Sequence, residues 1–312
     1  MPIMRFAIGI PQFYSDGEFD PAAFRAYLAR AEELGYESAW TQEQVLGAGP
    51  QLGAIETMTY AAACTSRLRL GCAVLVSTLH TPVHLAKSLS TLDQLSQGRL
   101  EIGVGTGGKR RPFAAFGLDA DRYVARFSEG VALMKALWTE PRVTFDGEFW
   151  QLQDAAMEPK PVQKPYPPLW LGGSGEPALR RAVRIGTGFF GAGSTPTDRF
   201  AAQVEIVRQA LAQAGPQSGR PGGEFPIAKR VYLTVDADAG RARQRVNDAL
   251  ERIYGRRVPD IEAAAIAGTP ADCVRELRQV AAAGAELILF TALVDPAEHA
   301  ERIAGEIIPQ LG

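Results

Sequence analysis

The chain has 312 residues, 46% hydrophobic and 22% charged, with 33 basic side chains against 35 acidic ones and a formal net charge of -2. That balance argues against a surface built to neutralise nucleic-acid phosphates or anionic lipid, and the composition is that of an ordinary globular protein. Cys64, Cys72 and Cys273 show no paired spacing, which argues against a disulfide framework. The apolar run 6–10 stops at Pro11, too short for a signal-peptide core, and no stretch approaches a membrane span, so a cytoplasmic protein is expected.

In chain order, short apolar runs alternate with helical patterns. Residues 6–10 read as a strand. Asp20 and Pro21 then form a cap and first-turn proline for a helix that carries Phe24, Leu28, Ala31 and Leu34 on one face and stops at Gly35. Strand 38–41 precedes helix 56–65, and strand 68–76 precedes helix 82–95. In that last helix Leu85, Leu89, Leu92 and Leu95 recur at helical spacing, and Gly98 is placed to end it in a left-handed cap. Strand 100–104 follows, then a helix with Phe127, Val131, Met134 and Trp138 on one face.

The alternation continues as strand 168–171 with helix 176–185, strand 188–190 with helix 198–214, and strand 227–235 with helix 241–254. Gly268 to Asp272 reads as a cap, first-turn proline and acidic third position before Val274, Leu277 and Val280, and 287–290 is the last strand. Eight strand-helix alternations without a composition break predict one α/β domain over 1–312, a closed (β/α)8 TIM barrel. Two segments read as short insertions: 143–153, a hairpin around Asp146-Gly147, and the Gly/Pro-rich loop 215–223.

Two glycine loops follow apolar strands. Gly103-Val104-Gly105-Thr106-Gly107-Gly108 satisfies G-x-G-x-x-G, but Lys109-Arg110-Arg111-Pro112 interrupts where a dinucleotide-binding fold opens its helix, and Asp119 and Asp121 fall in a loop. Its backbone N-H groups are instead expected to cradle a phosphate. Gly172-Gly173-Ser174-Gly175 lacks the final glycine of a nucleophile elbow, because Glu176 stands there. It reads as a second phosphate contact at a helix N-terminus. Either loop alone is also what a tight barrel turn looks like; two, after strands four and five, share one barrel mouth.

His80 and His84 are four apart, yet Pro82 lies between them and no glutamate follows His80 as a zinc hydrolase requires, so no metal site is expected. His80, Glu43 and Gln44 follow strands three and two at the catalytic face. They are candidates for substrate orientation or proton transfer, with a cap or a solvated loop as the plain alternative. Trp40, Trp138, Trp150 and Trp170 read as packing residues, and Phe13 and Phe190 as an apolar wall for an aromatic cofactor.

Taken together, these residues resemble the luciferase-like monooxygenase superfamily of flavin and deazaflavin (coenzyme F420) enzymes. The resemblance is carried by Leu92-Asp93-Gln94-Leu95-Ser96-Gln97-Gly98-Arg99-Leu100 with Gly103-Val104-Gly105-Thr106-Gly107, then Glu129 to Trp138 and Phe145-Asp146-Gly147. It continues through Pro159-Lys160-Pro161-Val162-Gln163, Pro168-Leu169-Trp170-Leu171-Gly172-Gly173, Arg180-Arg181-Ala182, Gly268-Thr269-Pro270 and Ile308-Pro309.

The resemblance implies a barrel that binds F420 or FMN at the C-terminal ends of its strands. Ala73-Val74 is then the strand-three bulge that backs the ring, often through a cis peptide, and Gly105, Thr106, Gly107, Gly172, Gly173 and Ser174 contact phosphate. The F420 branch commonly has Asp-His after strand two, and this chain has Glu43-Gln44. Lys109, Arg110 and Arg111 beside the phosphate loop favour the polyanionic F420 tail.

The expected activity is therefore hydride transfer between F420 and a small organic substrate. The alternative within the family is an FMN-dependent monooxygenase fed by a partner reductase, and from another class a hydrolase or isomerase of a phosphorylated metabolite. A homodimer is implied, and both insertions are candidate lids.

Overall fold

Eight parallel strands close into a ring in this computed structural model, which describes residues 4–14, 18–47, 49–107, 113–215 and 224–311. They are β1 (Arg5–Gly9), β2 (Ser38–Thr41), β3 (Arg69–Cys72), β4 (Leu100–Gly105), β5 (Leu169–Gly172), β6 (Gly188–Gly191), β7 (Ile227–Val235) and β8 (Leu287–Ala292). Each pairs with the next in parallel register, and β8 returns to β1 through Arg5 opposite Leu287 and Phe6 opposite Ile288. The expected TIM barrel is the observed fold.

Helices α1 (Pro21–Glu33), α2 (Ala54–Cys64), α3 (Pro82–Leu95), α4 (Tyr123–Thr139), α5 (Glu176–Ile185), α6 (Thr197–Ala214), α7 (Ala239–Tyr254), α8 (Pro259–Ala264), α9 (Pro270–Ala282) and α10 (Pro296–Arg302) connect the strands. Their ends follow local chemistry. Asp20 accepts from the backbone N-H groups of Ala22 and Ala23 at 2.8 and 3.1 Å, and Gly35 beyond α1 sits at φ +83°. Gly98, past α3, takes φ +81°, a backbone that L side chains resist. Thr269 and Asp272 form a reciprocal capping box at α9.

The third strand, read from its apolar run as continuous over 68–76, is interrupted where the family resemblance implies a bulge at Ala73-Val74. It breaks after Cys72 at a cis peptide between Ala73 and Val74, and resumes as Leu75–Val76 beside Val104 and Gly105 of β4. The hairpin of strands Val143–Asp146 and Gln151–Ala155 forms as expected. It is fastened to α4 through Glu129, whose carboxylate accepts from the backbone N-H groups of Glu148, Phe149 and Trp150 at 2.9 to 3.1 Å. Of the second insertion, 216–223 lie outside the described residues.

Period-two alternation sorts the strand side chains. One set fills the layer between sheet and helices, including Ile8, Ile102, Val104, Leu171, Phe189, Val231 and Phe290. The other fills the barrel axis: Ala7, Trp40, Trp170, Phe190, Ala228, Leu287 and Leu289. Trp40, Trp170 and Phe190 meet edge-to-face with centroids 4.8 to 6.2 Å apart, so the barrel has a solid aromatic floor. Glu101 closes it from below, accepting from Arg69 Nε at 2.6 Å and from Trp170 Nε1.

Candidate functional site

Above that floor, the axis-facing positions of neighbouring strands are glycines. Gly103 and Gly105 succeed Glu101 on β4, and Gly172 succeeds Trp170 on β5. The space they leave is already spoken for. A Cβ on Gly103 would fall 2.0 Å from the Cys72 carbonyl oxygen, one on Gly105 would fall 2.8 Å from Val74 Cγ2, and one on Gly172 3.3 Å from Val74 Cγ1. The strand-three bulge therefore turns the Val74 side chain over β4 and β5, and only glycine admits it.

The result is a cavity of about 510 Å³ at the C-terminal ends of the strands, within the range of organic ligand sites. Ala73, Val74, Gly105, Thr106, Gly107, Gly172, Gly173 and Ser174 all line it, so three separated segments of sequence meet on one wall. Gly107 adopts φ +78°. Thr106 is held from behind by Thr78, whose hydroxyl donates to its carbonyl at 3.0 Å. Gly175 precedes α5 without a side-chain cap, which leaves the positive end of that helix beside the cavity. Gln203 of α6 donates to the Ser174 carbonyl at 3.2 Å and steadies the turn.

Of the opposite wall, only Phe190 was read from the sequence. Phe190, Gly191, Ala192, Ser194, Thr195 and Arg230 line it, while Tyr123 of α4 and Arg181 of α5, the helix that opens from the Gly172–Gly175 loop, complete the lining of the cavity. Burial lowers the Arg181 guanidinium pKa, with the neighbouring Arg184 charge adding to the effect. Behind the loop after β6 lies Lys229, 2% exposed, whose ammonium donates to the carbonyls of Ala192 and, at 2.8 Å, Thr195. Burial, reinforced by the Arg230 charge, brings its pKa down to about 7. A neutral amine still carries a hydrogen for each carbonyl, so this lysine ties the loop in either state. The signal for both residues was a pair of cations inside an apolar strand run.

Glu43, Gln44 and His80 do not line the cavity. Glu43 and His80 nevertheless come together from different loops: His80 Nε2 lies 2.7 Å from Glu43 Oε1, and Glu43 Oε2 accepts from Val76 N at 2.5 Å. The pair is thereby tied to the bulge that forms the cavity wall. Gln44 lies elsewhere, packed in its own turn against Gly47. His84 is exposed on α3, and no group of His, Cys, Asp and Glu among the described residues is arranged to hold a metal.

Phe190 forms part of the wall, whereas Phe13 is 43% exposed and does not line the cavity. His299, too deep to serve a hydrolase triad, is fully buried with Nδ1 donating to the Asp295 carbonyl and Nε2 accepting from Val235 N, both at 3.1 Å. Gly108, Lys109, Arg110, Arg111 and Pro112 lie outside the described residues. Among those described, no helix is long and apolar enough to cross a membrane.

A family model described as luciferase-like monooxygenase matches residues 4–305. An F420-dependent glucose-6-phosphate dehydrogenase from Kineococcus radiotolerans is 32% identical over 72% of this chain and 67% of its own. An FMNH2-dependent dimethylsulfone monooxygenase from Pseudomonas putida is 31% identical over 59% of this chain and 52% of its own. A monooxygenase from Streptomyces bottropensis has the same fold, with a TM-score of 0.84 at 24% identity, covering 99% of this chain and 100% of that one.

Proposed function

This chain belongs to the luciferase-like monooxygenase family, and we propose that it is an F420-dependent oxidoreductase acting on a small organic substrate. The observation that carries the reading is the glycine wall. A cavity of about 510 Å³ offers backbone from two glycine loops and a helix N-terminus on one side, with Val74 on the cis peptide standing over Gly105 and Gly172. That arrangement suits a flat ring joined to a phosphate. The likeness to an F420-dependent dehydrogenase over most of the chain favours the deazaflavin over FMN.

Bound F420 supplies a two-electron hydride carrier. The protein's part is then position. Gly105, Thr106, Gly107, Gly172, Gly173 and Ser174 hold the phosphate, and Ala73 and Val74 support one face of the ring. Glu43 and His80, paired through Nε2 and tied to Val76 N, stand off the cavity lining and brace the bulge that forms its wall. Gln44 is left outside this assignment. The second reading, an FMN monooxygenase supplied by a reductase, is favoured by the likeness to the Pseudomonas putida enzyme over a shorter part of the chain.

A fluorescence titration of cofactor-free protein with F420 and FMN, each oxidised and reduced, separates the readings. Tight F420 and weak FMN binding is the expected result. The reverse ranking supports the monooxygenase, and binding of neither overturns both and returns the cavity to a phosphorylated metabolite.

A further inference from the structure

The wall across from the glycine loops carries a cation to which the reading above gives no task. Arg230 follows Ala228 by two positions on β7, and Ala228 belongs to the barrel axis, so alternation turns Arg230 inward as well. Its place is set on one edge and one face. Nε donates to Thr291 Oγ1 of β8 at 3.1 Å, and the guanidinium carbon lies 4.8 Å from the centroid of the Tyr232 ring. The Tyr232 hydroxyl is itself held 2.9 Å from that of Tyr254. Among the described residues, no carboxylate pairs with Arg230 and neither terminal nitrogen has a hydrogen-bond partner.

A guanidinium presents donors in a rigid planar fork that matches the two oxygens of a carboxylate. With Nε committed to Thr291, the edge formed by Nη1 and Nη2 remains whole. The other described cation of the lining, Arg181, stands on α5 beside the phosphate loops and over the Phe127 ring at 5.6 Å. Lys229 is adjacent in sequence but faces the helices, spent on the carbonyls of Ala192 and Thr195. A single fork with no second cation beside it matches a monoanion better than a phosphate dianion.

We propose that Arg230 orients the substrate, and that this substrate carries a carboxylate bound on the Nη1–Nη2 edge, with its organic body directed toward the face of the ring turned away from Ala73 and Val74. The proposal rests on the cofactor reading above. A carboxylate also occurs on the F420 tail, so the test separates substrate from tail.

The test uses calorimetric titration of the full-length protein with benzoate and with benzamide, its neutral counterpart of the same shape. Each is run with and without saturating F420 or FMN, for the wild type, Arg230→Met and Arg230→Lys, after thermal melts establish that each variant is folded. Benzoate is expected to bind at least tenfold more tightly than benzamide. Arg230→Met should weaken benzoate tenfold or more, Arg230→Lys should fall between, and benzamide and cofactor affinities should stay put.

Absent benzoate binding, equal affinity for benzamide, or unchanged benzoate affinity in Arg230→Met overturns the proposal. A selective loss of F420 affinity in Arg230→Met also overturns it, by assigning the fork to the cofactor tail. If the wild type binds neither cofactor, the function reading fails by itself, and benzoate titration of the same protein still decides the role of Arg230. Should Arg230→Met not fold, the Arg230→Lys comparison carries the decision.

Discussion

The two walls of the cavity are made of different material. On the β4 and β5 side, glycines bring backbone to the surface, and the side chain that occupies the gap, Val74, arrives from β3. On the side of β6, β7 and β8 the lining is side chain: Phe190 and Arg230, with Thr291 and Tyr232 supporting the arginine and Lys229 tying the loop from behind. On the proposed reading, backbone N-H groups meet what every turnover would share, a phosphate on the carrier, and cannot be exchanged by point mutation. Side chains can, so the proposed capacity to distinguish substrates falls to the second wall.

The sharpest way to break this contrast is to put a side chain where the first wall has none. Gly103→Ala places a methyl 2.0 Å from the Cys72 carbonyl oxygen, a backbone atom with nowhere to retreat. Destabilisation of about 3 kcal/mol or more is expected in urea unfolding. A variant as stable as the wild type would show that the glycine wall is not sterically required.

A smaller effect is expected on the other wall. Lys229→Met removes the donors to Ala192 and Thr195 while filling the same apolar space. The two freed carbonyls make a loss of about 1–3 kcal/mol reasonable, together with roughly tenfold weaker F420 binding as the loop loosens. Unchanged cofactor affinity would mean that the loop holds its shape without the lysine.

The mildest probe is pH. Lys229 titrates near 7 in the fold and at 10.5 ordinarily, so between these values the unfolded chain holds a proton the folded chain does not, and stability rises with pH. From pH 7 to 8 the gain is about 1 kcal/mol from this group, and Lys229→Met should abolish it. His299 acts on the acid side. Burial lowers its pKa below the usual 6.5, only partly opposed by its bond to the Asp295 carbonyl. The unfolded chain takes up that proton first, so stability falls as pH drops through 6.5, and a His299→Gln variant should flatten this limb of the melting curve.

Much of the fold was legible because its signals are local. The capping residues Asp20, Thr269 and Asp272, the left-handed Gly35 and Gly98, and the apolar periods of α3 and α4 mark element ends within a few residues of sequence. The glycine loops were legible for the same reason. Gln44 and Phe13 were read from proximity to a strand end, which does not say which way a loop side chain turns. The structure leaves both away from the cavity, and Glu43 and His80, read the same way, also stand off its lining.

By itself, then, the sequence determined the order and type of elements, the barrel that eight alternations imply, and the two loops able to face a phosphate, since each depends on neighbours along the chain. Only the tertiary structure decided that Val74 crosses to fill the space above Gly105 and Gly172, that His80 reaches Glu43, and that Lys229 faces the helices while Arg230 faces the cavity. The physical reason is that alternation tells which strand residues share a face without telling which face is inside. Closing the ring makes that choice, and it brings residues far apart in sequence within bonding distance.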